Sequence, residues 1–164
     1  MKLSTLFPEP FIDLKAFREV GFPREKVWAW MLTHPCELLA TEGFHAHVDP
    51  PTLPLCKGDR IMVRHEFPLG LRENRYARIN KLAPYVIGFG EVAERGVYDF
   101  FPHSYRFSVA ELGPETSVVG FDVRGRFRIP GGRWLWMPWF QHIAPGRLEN
   151  LLGRLDEALA KDLK

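Results

Sequence analysis

The last twenty residues of the chain carry its most regular pattern, which is that of one long amphipathic helix. Between positions 145 and 163, leucine recurs at spacings of three and four residues: Leu148, Leu151, Leu152, Leu155, Leu159 and Leu163. This spacing places the leucines on one stripe of a helix, and the stripe has to be buried against another element. The preceding chain is strand-like, so we expect the helix to lie across the apolar face of a curved sheet. A sheet that holds a long helix imperfectly leaves a ligand cavity beside it.

The rest of the chain is organised as strands with two helices near the start. Residues 11–20 alternate between apolar and polar side chains and predict a first strand. Pro23 and Pro35 suit the first turns of two short helices, the second of which ends at Gly43. Alternating segments at 44–48, 61–67, 76–79, 85–89, 97–112 and 119–128 follow, with turns at 68–70, 95–96 and 113–114. The predicted order is therefore a strand, two short helices, six strands and a long helix, an α+β arrangement.

Size, composition and charge indicate an ordinary globular protein. The chain has 164 residues, of which 46% are hydrophobic and 26% are charged, so we expect residues 1–164 to form one domain. No apolar run approaches the ~20 residues of a membrane span, and residues 1–10 lack the apolar stretch of a secretory signal. These features predict a cytoplasmic protein without stable membrane insertion. The net charge is only +2 and basic residues are interleaved with acidic ones, which argues against nucleic acid as a partner.

Cysteines and histidines give little sign of metal or redox chemistry. Cys36 and Cys56 fall in a helical and a loop segment without the spacing of a metal or redox motif, so we expect free thiols. His45 and His47 lie two positions apart on an extended segment, where they share a face. A zinc site needs three or four ligands, and no further candidate follows a recognised spacing. We therefore predict no metal and no cofactor.

Three local motifs follow one another along the chain. Residues 22–28 read Phe-Pro-Arg-Glu-Lys-Val-Trp, residues 58–61 read Gly-Asp-Arg-Ile, and residues 99–107 read Asp-Phe-Phe-Pro-His-Ser-Tyr-Arg-Phe. Together with the order of elements, they resemble the helix-grip fold of the START and birch-pollen-allergen (Bet v-like) superfamily, also called SRPBCC or polyketide cyclase/dehydrase-like. The stretch 99–107 is similar to an aromatic strand of bacterial ligand-binding members.

This resemblance implies a curved antiparallel sheet of about seven strands wrapped around the long C-terminal helix, with two short helices after the first strand. It also implies a deep hydrophobic cavity between sheet and helix, which in relatives holds lipids, sterols, aromatic polyketides or isoprenoid quinones. It implies no particular reaction, because members of the superfamily share the cavity-forming fold rather than one chemical reaction.

Alternation along the predicted strands places a few polar side chains on the inner, apolar face. His65 shares the face of Val63. His103 and Tyr105 share the face of Phe107. Polar groups of this kind orient a ligand in an apolar pocket, although single buried histidines more often bond to backbone or water. The predicted ligand-cavity residues are His65, Phe67, Phe89, Glu91, His103, Tyr105, Phe107, Phe121, Trp136, Leu148 and Leu152.

Glu91 is the most ambiguous of these residues. It follows the alternation of Phe89 and could form an acid–base pair with a histidine. Its place near a strand end favours a solvated carboxylate instead, because glutamate is seldom buried. The sequence contains no phosphate-binding loop, nucleophile elbow or His-Glu-x-x-His helix, and no residue is assigned as catalytic.

Residues 134–140 read Trp-Leu-Trp-Met-Pro-Trp-Phe and hold more apolar area than an exposed loop tolerates. Three ways of covering this segment are open. In order of preference, it forms a lid or wall of the cavity, a contact in a homodimer, or a contact with a lipid surface.

Basic residues form a row on the last strand. Arg124, Arg126 and Arg128 alternate on its outward face, and Arg106 stands beside them on the neighbouring strand. An anionic partner or a membrane surface would suit such a row. We favour a solvated sheet face with Asp or Glu partners across the strands.

Three functions follow from these observations. The preferred one is binding or transport of a small hydrophobic ligand between the sheet and the C-terminal helix, and we expect a binding protein rather than an enzyme. The second is a polyketide cyclase/aromatase-like or hydrolase-like enzyme that uses histidine, tyrosine and glutamate side chains of the same cavity. It requires at least two of them to converge within hydrogen-bond reach. The third is a protein-interaction module built on residues 134–140.

Overall fold

The fold is built on one antiparallel sheet. The computed structural model describes residues 11–40, 45–66, 72–93, 102–126, 142 and 144–164. The strands are β1 (Phe11–Val20), β2 (His45–Val48), β3 (Arg60–Glu66), β4 (Arg72–Ala83), β5 (Val86–Ala93), β6 (His103–Gly113) and β7 (Thr116–Arg126). They lie in the order β1-β7-β6-β5-β4-β3-β2, so the first strand pairs with the last, and the sheet curls into a half-barrel.

Each strand buries one face, because successive side chains of a strand point to opposite sides of the sheet. On β1, Ile12 and Val20 are buried in the concave face, whereas Phe17 on the other face is 68% exposed. The Phe17 ring lies over Gly120 of β7, its partner across the strands. A Cβ at Gly120 would lie 3.1 Å from this ring and 2.8 Å from the hydroxyl oxygen of Ser108, so a larger residue there would require both side chains to shift.

Two short helices follow β1: α1 (Arg24–Thr33) and α2 (Pro35–Ala40). Pro23 precedes α1 with a φ of −58°, which suits a helix start, and Glu25 in the first turn lies near the positive end of the helix dipole. His34 leaves the helical conformation because the proline that follows it disfavours that conformation. Proline thus sets the boundary between the two helices.

The long helix α3 (Ala144–Asp162) packs closest to β1 and carries the leucine stripe. Five leucines of the stripe are buried: Leu148, Leu151, Leu152, Leu155 and Leu159. Two side-chain hydrogen bonds hold the C-terminal half of the helix. Arg18 Nε donates to Asp156 Oδ2 over 3.0 Å, and Trp30 Nε1 donates to Asp162 Oδ2 over 2.9 Å.

The predicted order of elements is confirmed: a strand, two short helices, six strands and a long helix. The helix predicted over 145–163 differs by one residue at each end. The end of the second helix at Gly43 and the turns at 68–70 and 95–96 lie outside the described residues. The strand predicted over 97–112 is described only from His103 onward.

The two cysteines are free thiols, as the sequence predicted, with Cys36 in α2 and Cys56 in the loop before β3. Burial raises the pKa of the Cys36 thiol above its ordinary value, and the carboxylates of Glu37 and Asp49 add to the effect. A raised pKa leaves little nucleophilic thiolate. In the described part of the chain, no helix combines the length and hydropathy needed to cross a membrane.

Replacing Leu155 by alanine tests how far the fold depends on the leucine stripe. Leu155 is fully buried, so the substitution removes packed methyl groups and leaves a cavity. We expect the free energy of unfolding to fall by about 2–5 kcal/mol in urea unfolding followed by circular dichroism. Glu157→Ala, at an exposed position of the same helix, should change it by less than ~0.5 kcal/mol. Equal effects would show that the stripe does not carry the packing of the helix.

Candidate functional site

Four polar side chains meet at one end of the concave face. His65 lies on β3, Arg75 on β4, Glu91 on β5 and His103 on β6, so four neighbouring strands each supply one residue. Each of them lies two positions along its strand from a buried core residue. Because side chains alternate between the two faces of a strand, all four therefore lie on the concave side. These four residues form the polar cluster.

Glu91 is the centre of the polar cluster. Its Oε2 lies 2.9 Å from Nε of Arg75, 3.0 Å from Nε2 of His65 and 3.4 Å from Nε2 of His103. The Glu91 side chain is fully buried, and the other three side chains are at most 7% exposed. Three nitrogen atoms therefore converge on one carboxylate oxygen inside the protein.

The charges of this arrangement explain how it tolerates burial. An unpaired buried carboxylate costs several kcal/mol, and the guanidinium group of Arg75 supplies the compensating charge. The Nε2 atoms of His65 and His103 both face Glu91 Oε2, so the carboxylate sets the direction of both imidazole rings.

The surroundings of the polar cluster are small or apolar. Ala77 stands opposite Glu91 on β4, and its short side chain leaves room for the carboxylate and the guanidinium group. Tyr105 links the cluster to the aromatic core, since its ring centroid lies 6.1 Å from that of His103 and 5.3 Å from that of Phe89. The concave face thus changes from polar to apolar within two residues along each strand.

The structure brings three of the predicted site residues into direct contact: His65, Glu91 and His103. Tyr105 lies beside them. The other described members of the predicted set belong to the buried core: Phe89, Phe107, Phe121, Leu148 and Leu152. Phe67, Trp136 and the whole segment 134–140, with its predicted roles as lid, dimer contact or lipid contact, lie outside the described residues.

The prediction that Glu91 carries a solvated carboxylate is wrong. Glu91 does lie near the end of β5, but its side chain is fully buried. Arg75 offsets its charge, and the two histidines contact the same oxygen atom. Burial of the charged group is therefore stabilised by side chains from three other strands.

Sequence reasoning missed Arg75, although a signal was present. Ala77 and Ile79 are buried, and alternation from them places position 75 on the same face of β4. An inward arginine is costly by itself, and its partner Glu91 comes sixteen residues later on another strand. The predicted strand covered only 76–79, so position 75 was not assigned to a face.

The outward arginines have the cross-strand partners that the sequence favoured. Arg106 Nε donates to Asp122 over 2.8 Å, and Arg124 lies 3.5 Å from the carboxylate of Asp13. Arg128 and the side chain of Arg126 lie outside the described residues. The part of this row that the structure describes is a charge-paired sheet surface.

Metal binding finds no support among the described residues, which contain no group of three or more His, Cys, Asp or Glu arranged around a common point. His47 Nε2 lies 2.9 Å from Asp49 Oδ1, and this pair is exposed. The strand register shifts between His45 and His47, so the simple alternation assumed for these two residues does not hold there.

An open apolar cavity of about 650 Å³ lies away from the polar cluster. Its walls come from α1, the loop before β3 and the turn between β4 and β5, and they include Trp28, Leu53, Leu82 and Tyr85. None of the predicted ligand-cavity residues lines it.

Comparison with known proteins identifies the fold. The sequence matches no family model and no curated protein. Among solved structures, the chain is similar to the Zhui aromatase/cyclase of a Streptomyces species (12% identity, TM-score 0.72, covering 94% of this chain and 97% of that one). It is also similar to Thalictrum flavum norcoclaurine synthase in complex with dopamine and hydroxybenzaldehyde (12% identity, TM-score 0.64, covering 99% of this chain and 94% of that one). A third similar structure is a START superfamily protein from Mycobacterium smegmatis (18% identity, TM-score 0.62, covering 91% of this chain and 97% of that one). The expected helix-grip fold is confirmed.

Glu91→Gln should destabilise the protein, because it keeps the shape of the side chain but removes the charge that compensates Arg75. We expect the free energy of unfolding at pH 7 to fall by about 3–5 kcal/mol. Asp13→Asn, which breaks an exposed pair, should cost less than ~1 kcal/mol in the same unfolding measurement. The double variant Arg75→Met with Glu91→Leu should recover most of the loss, since no charge of the pair then remains buried. An unchanged stability of Glu91→Gln would contradict this account of the pair.

Proposed function

We propose that the protein binds a small hydrophobic ligand between the concave face of the sheet and α3, with the polar cluster orienting a polar group of the ligand. The observation that carries this proposal is the position of the cluster, which lies at the end of an otherwise apolar concave face. A few fixed polar groups in apolar surroundings are characteristic of small-molecule sites. The fold supports the same interpretation, because one protein that shares it has been solved with two aromatic molecules bound.

The apolar rows of the concave face are sufficient to drive such binding. A ligand that buries about 200–300 Å² of apolar surface at ~25 cal/mol/Å² gains roughly 5–7 kcal/mol before the costs of association. The Phe107 and Phe121 rings, whose centroids are 4.5 Å apart, belong to the buried aromatic core beside Tyr105, and in the proposed complex the ligand packs against this core. The hydrophobic term supplies affinity, and the polar cluster supplies orientation.

A neutral alkyl diazirine probe locates the site directly. After illumination and proteolysis, we expect mass spectrometry to find the label on peptides from β5, β6 and α3. The open cavity is the competing position, and Leu53→Glu, which places a charge on its half-exposed wall, should leave the labelling pattern unchanged. Labels confined to the peptides around Leu53 and Tyr85 would contradict the proposal.

A second candidate function is acid–base catalysis by the polar cluster. It is favoured by one observation: both histidines lie within hydrogen-bond reach of Glu91, which meets the requirement set out from the sequence. In such a reaction, one histidine removes a proton from a carbon next to a carbonyl group. The other histidine, which starts protonated, donates a proton to the carbonyl oxygen, so that an enol forms and the two histidines exchange protonation states. This chemistry suits a cyclase- or aromatase-like enzyme acting on a substrate with acidic C–H bonds.

Deuterium exchange into a hydrophobic ketone tests this second candidate without knowledge of the natural substrate. If the cluster transfers protons, the protein should accelerate exchange at the α-carbon of 1-tetralone in D₂O, measured by NMR. His103→Gln should lower the accelerated rate by about 10²-fold or more, because a positioned acid–base group contributes 10²–10⁴-fold. His47→Gln, at an exposed histidine, is the matched control and should leave it unchanged. Exchange at the buffer rate with the unaltered protein would remove the enzymatic candidate and leave the binding function in place.

A further inference from the structure

A second polar site lies on the convex face of the sheet, on the opposite side from the polar cluster. A depression of about 130 Å³ opens there across β4, β5, β6 and β7. Because side chains alternate along a strand, the β6 residues that line it face away from the concave side, to which His103 and Tyr105 belong. The polar side chains of its lining are Asn80, Lys81, Ser104, Arg106, Asp122 and Arg124. The proposed binding of a hydrophobic ligand uses none of them.

Strands β4 and β5 are shaped to place the Asn80 side chain at this depression. The β4–β5 register shifts between Ile79 and Lys81, and an irregularity of this kind redirects a side chain. A Cβ at Gly88 would lie 2.8 Å from Asn80 Oδ1, and a Cβ at Gly90 would lie 3.2 Å from Asn80 Nδ2. Glycine at both positions therefore lets the amide lie close against β5. Among the described residues, this amide has no hydrogen-bond partner.

Three cations surround the depression, and the carboxylates near them do not balance their charge. Lys81 is exposed and forms no ion pair within the part of the chain that the structure describes. Arg106 pairs with Asp122, and Arg124 forms a long, exposed pair with Asp13 over 3.5 Å. Three cations against two carboxylates leave an excess of one positive charge.

The surrounding convex surface has the same sign. Arg78 stands opposite Gly90 in the register, and Lys15 stands opposite Asp122. Both cations are exposed, and neither forms an ion pair with any described residue. A positive depression inside a positive surface attracts anions.

Hydrogen-bond donors reach the depression from two sides. The Asn80 amide comes from β4, and the Ser104 hydroxyl comes from β6. Arg106 uses two of its five N–H groups on one oxygen of Asp122, which leaves three for a ligand. The Asp122 side chain is only 11% exposed, so it fixes the guanidinium group from below. A fixed guanidinium group with neutral donors beside it suits an oxyanion.

The volume of the depression indicates the size of that anion. A space of 130 Å³ holds about four water molecules at ~30 Å³ each. This space suits a tetrahedral ion with four oxygen atoms, and it is too small for an organic body. A planar carboxylate has only two oxygen atoms and would leave several of the donors without an acceptor.

We propose that this depression binds a phosphate group, carried either by a free phosphate compound or by a lipid head group. Arg106 and Arg124 contact the phosphate oxygens from one side. Lys81 and the Asn80 amide contact them from the other side, and the Ser104 hydroxyl donates a further hydrogen bond. The site is independent of the hydrophobic ligand, because it lies on the other face of the sheet.

Titration with inorganic phosphate, followed by NMR at constant ionic strength, tests the proposal. We expect saturable shifts of the Asn80 side-chain amide, the Ser104 backbone amide and the Nε–H group of Arg124. Acetate at the same ionic strength should bind about threefold or more weakly, because it accepts fewer charge-assisted hydrogen bonds.

Variants distinguish a shaped site from diffuse attraction to a basic surface. Lys81→Ala should raise the Kd for phosphate about two- to fivefold, the effect of one exposed ion pair. Gly88→Ala changes no charge, but its Cβ displaces the Asn80 amide. It should raise the Kd about threefold or more, since a hydrogen bond to a charged group is lost. Lys57→Ala, at an exposed lysine in the loop before β3, is the matched control and should leave the Kd unchanged.

Asn80→Ala removes the same amide at an exposed position, so the test does not depend on whether Gly88→Ala folds. It should raise the Kd by the same factor as Gly88→Ala, because both variants take the same donor away from the phosphate.

Vesicles identify the source of the phosphate group. Sedimentation with phosphatidylcholine vesicles that contain phosphatidic acid, reversed by inorganic phosphate, indicates a lipid head group. Saturable binding of inorganic phosphate without sedimentation indicates a free phosphate compound, and either result supports the proposal. Shifts that do not saturate, equal binding of acetate, or equal effects of Lys57→Ala and Lys81→Ala overturn it. The proposed function on the concave face stands in each of these cases.

Discussion

The burial of the α3 leucines against the concave sheet is the contact on which the rest of the structure depends. A sheet with one apolar face cannot leave that face in water, and α3 supplies an apolar stripe of matching length. Leu155 and Leu159 are fully buried, and the helix packs closest to the edge strand β1. Because the helix occupies the inside of the curl, the inward ends of four central strands point to one region.

Stability alone does not account for the polar cluster. Replacing a buried ion pair by apolar residues of similar volume is often neutral or stabilising, so a row of Val, Leu and Phe would serve the core equally well. The chain instead buries Glu91 completely and provides Arg75 to compensate it. It adds two histidines at the same oxygen atom. Stability therefore gives no reason for this arrangement, whereas the ligand-binding function proposed above gives one, because the cluster lies at the boundary of the aromatic rows.

The sequence pattern predicted the elements well because it reports local geometry. Spacings of two and of three to four residues predicted the strand faces and the helix stripe, and His65 and His103 lie on the inner face expected for them. The contacts of the cluster depend instead on the register between strands. The β4–β5 pair shifts its register between Ile79 and Lys81, and no local pattern reveals such a shift. The roles of segment 134–140, the cytoplasmic location and the homodimer stay predictions from the sequence.

The hydrogen bond from Arg18 to α3 lies at one end of the sheet, and the polar cluster lies at the other end. Arg18, which bonds to the helix, pairs with Val119 of β7, whereas His103 pairs with Gly125 of the same strand. Six residues of extended chain separate these positions, a distance of about 20 Å. Mutations can therefore accumulate in the cluster without loosening the helix, since well-separated sites contribute to stability almost independently. A scaffold divided in this way is evolvable: natural selection can change the molecule that it accommodates while the architecture is inherited intact.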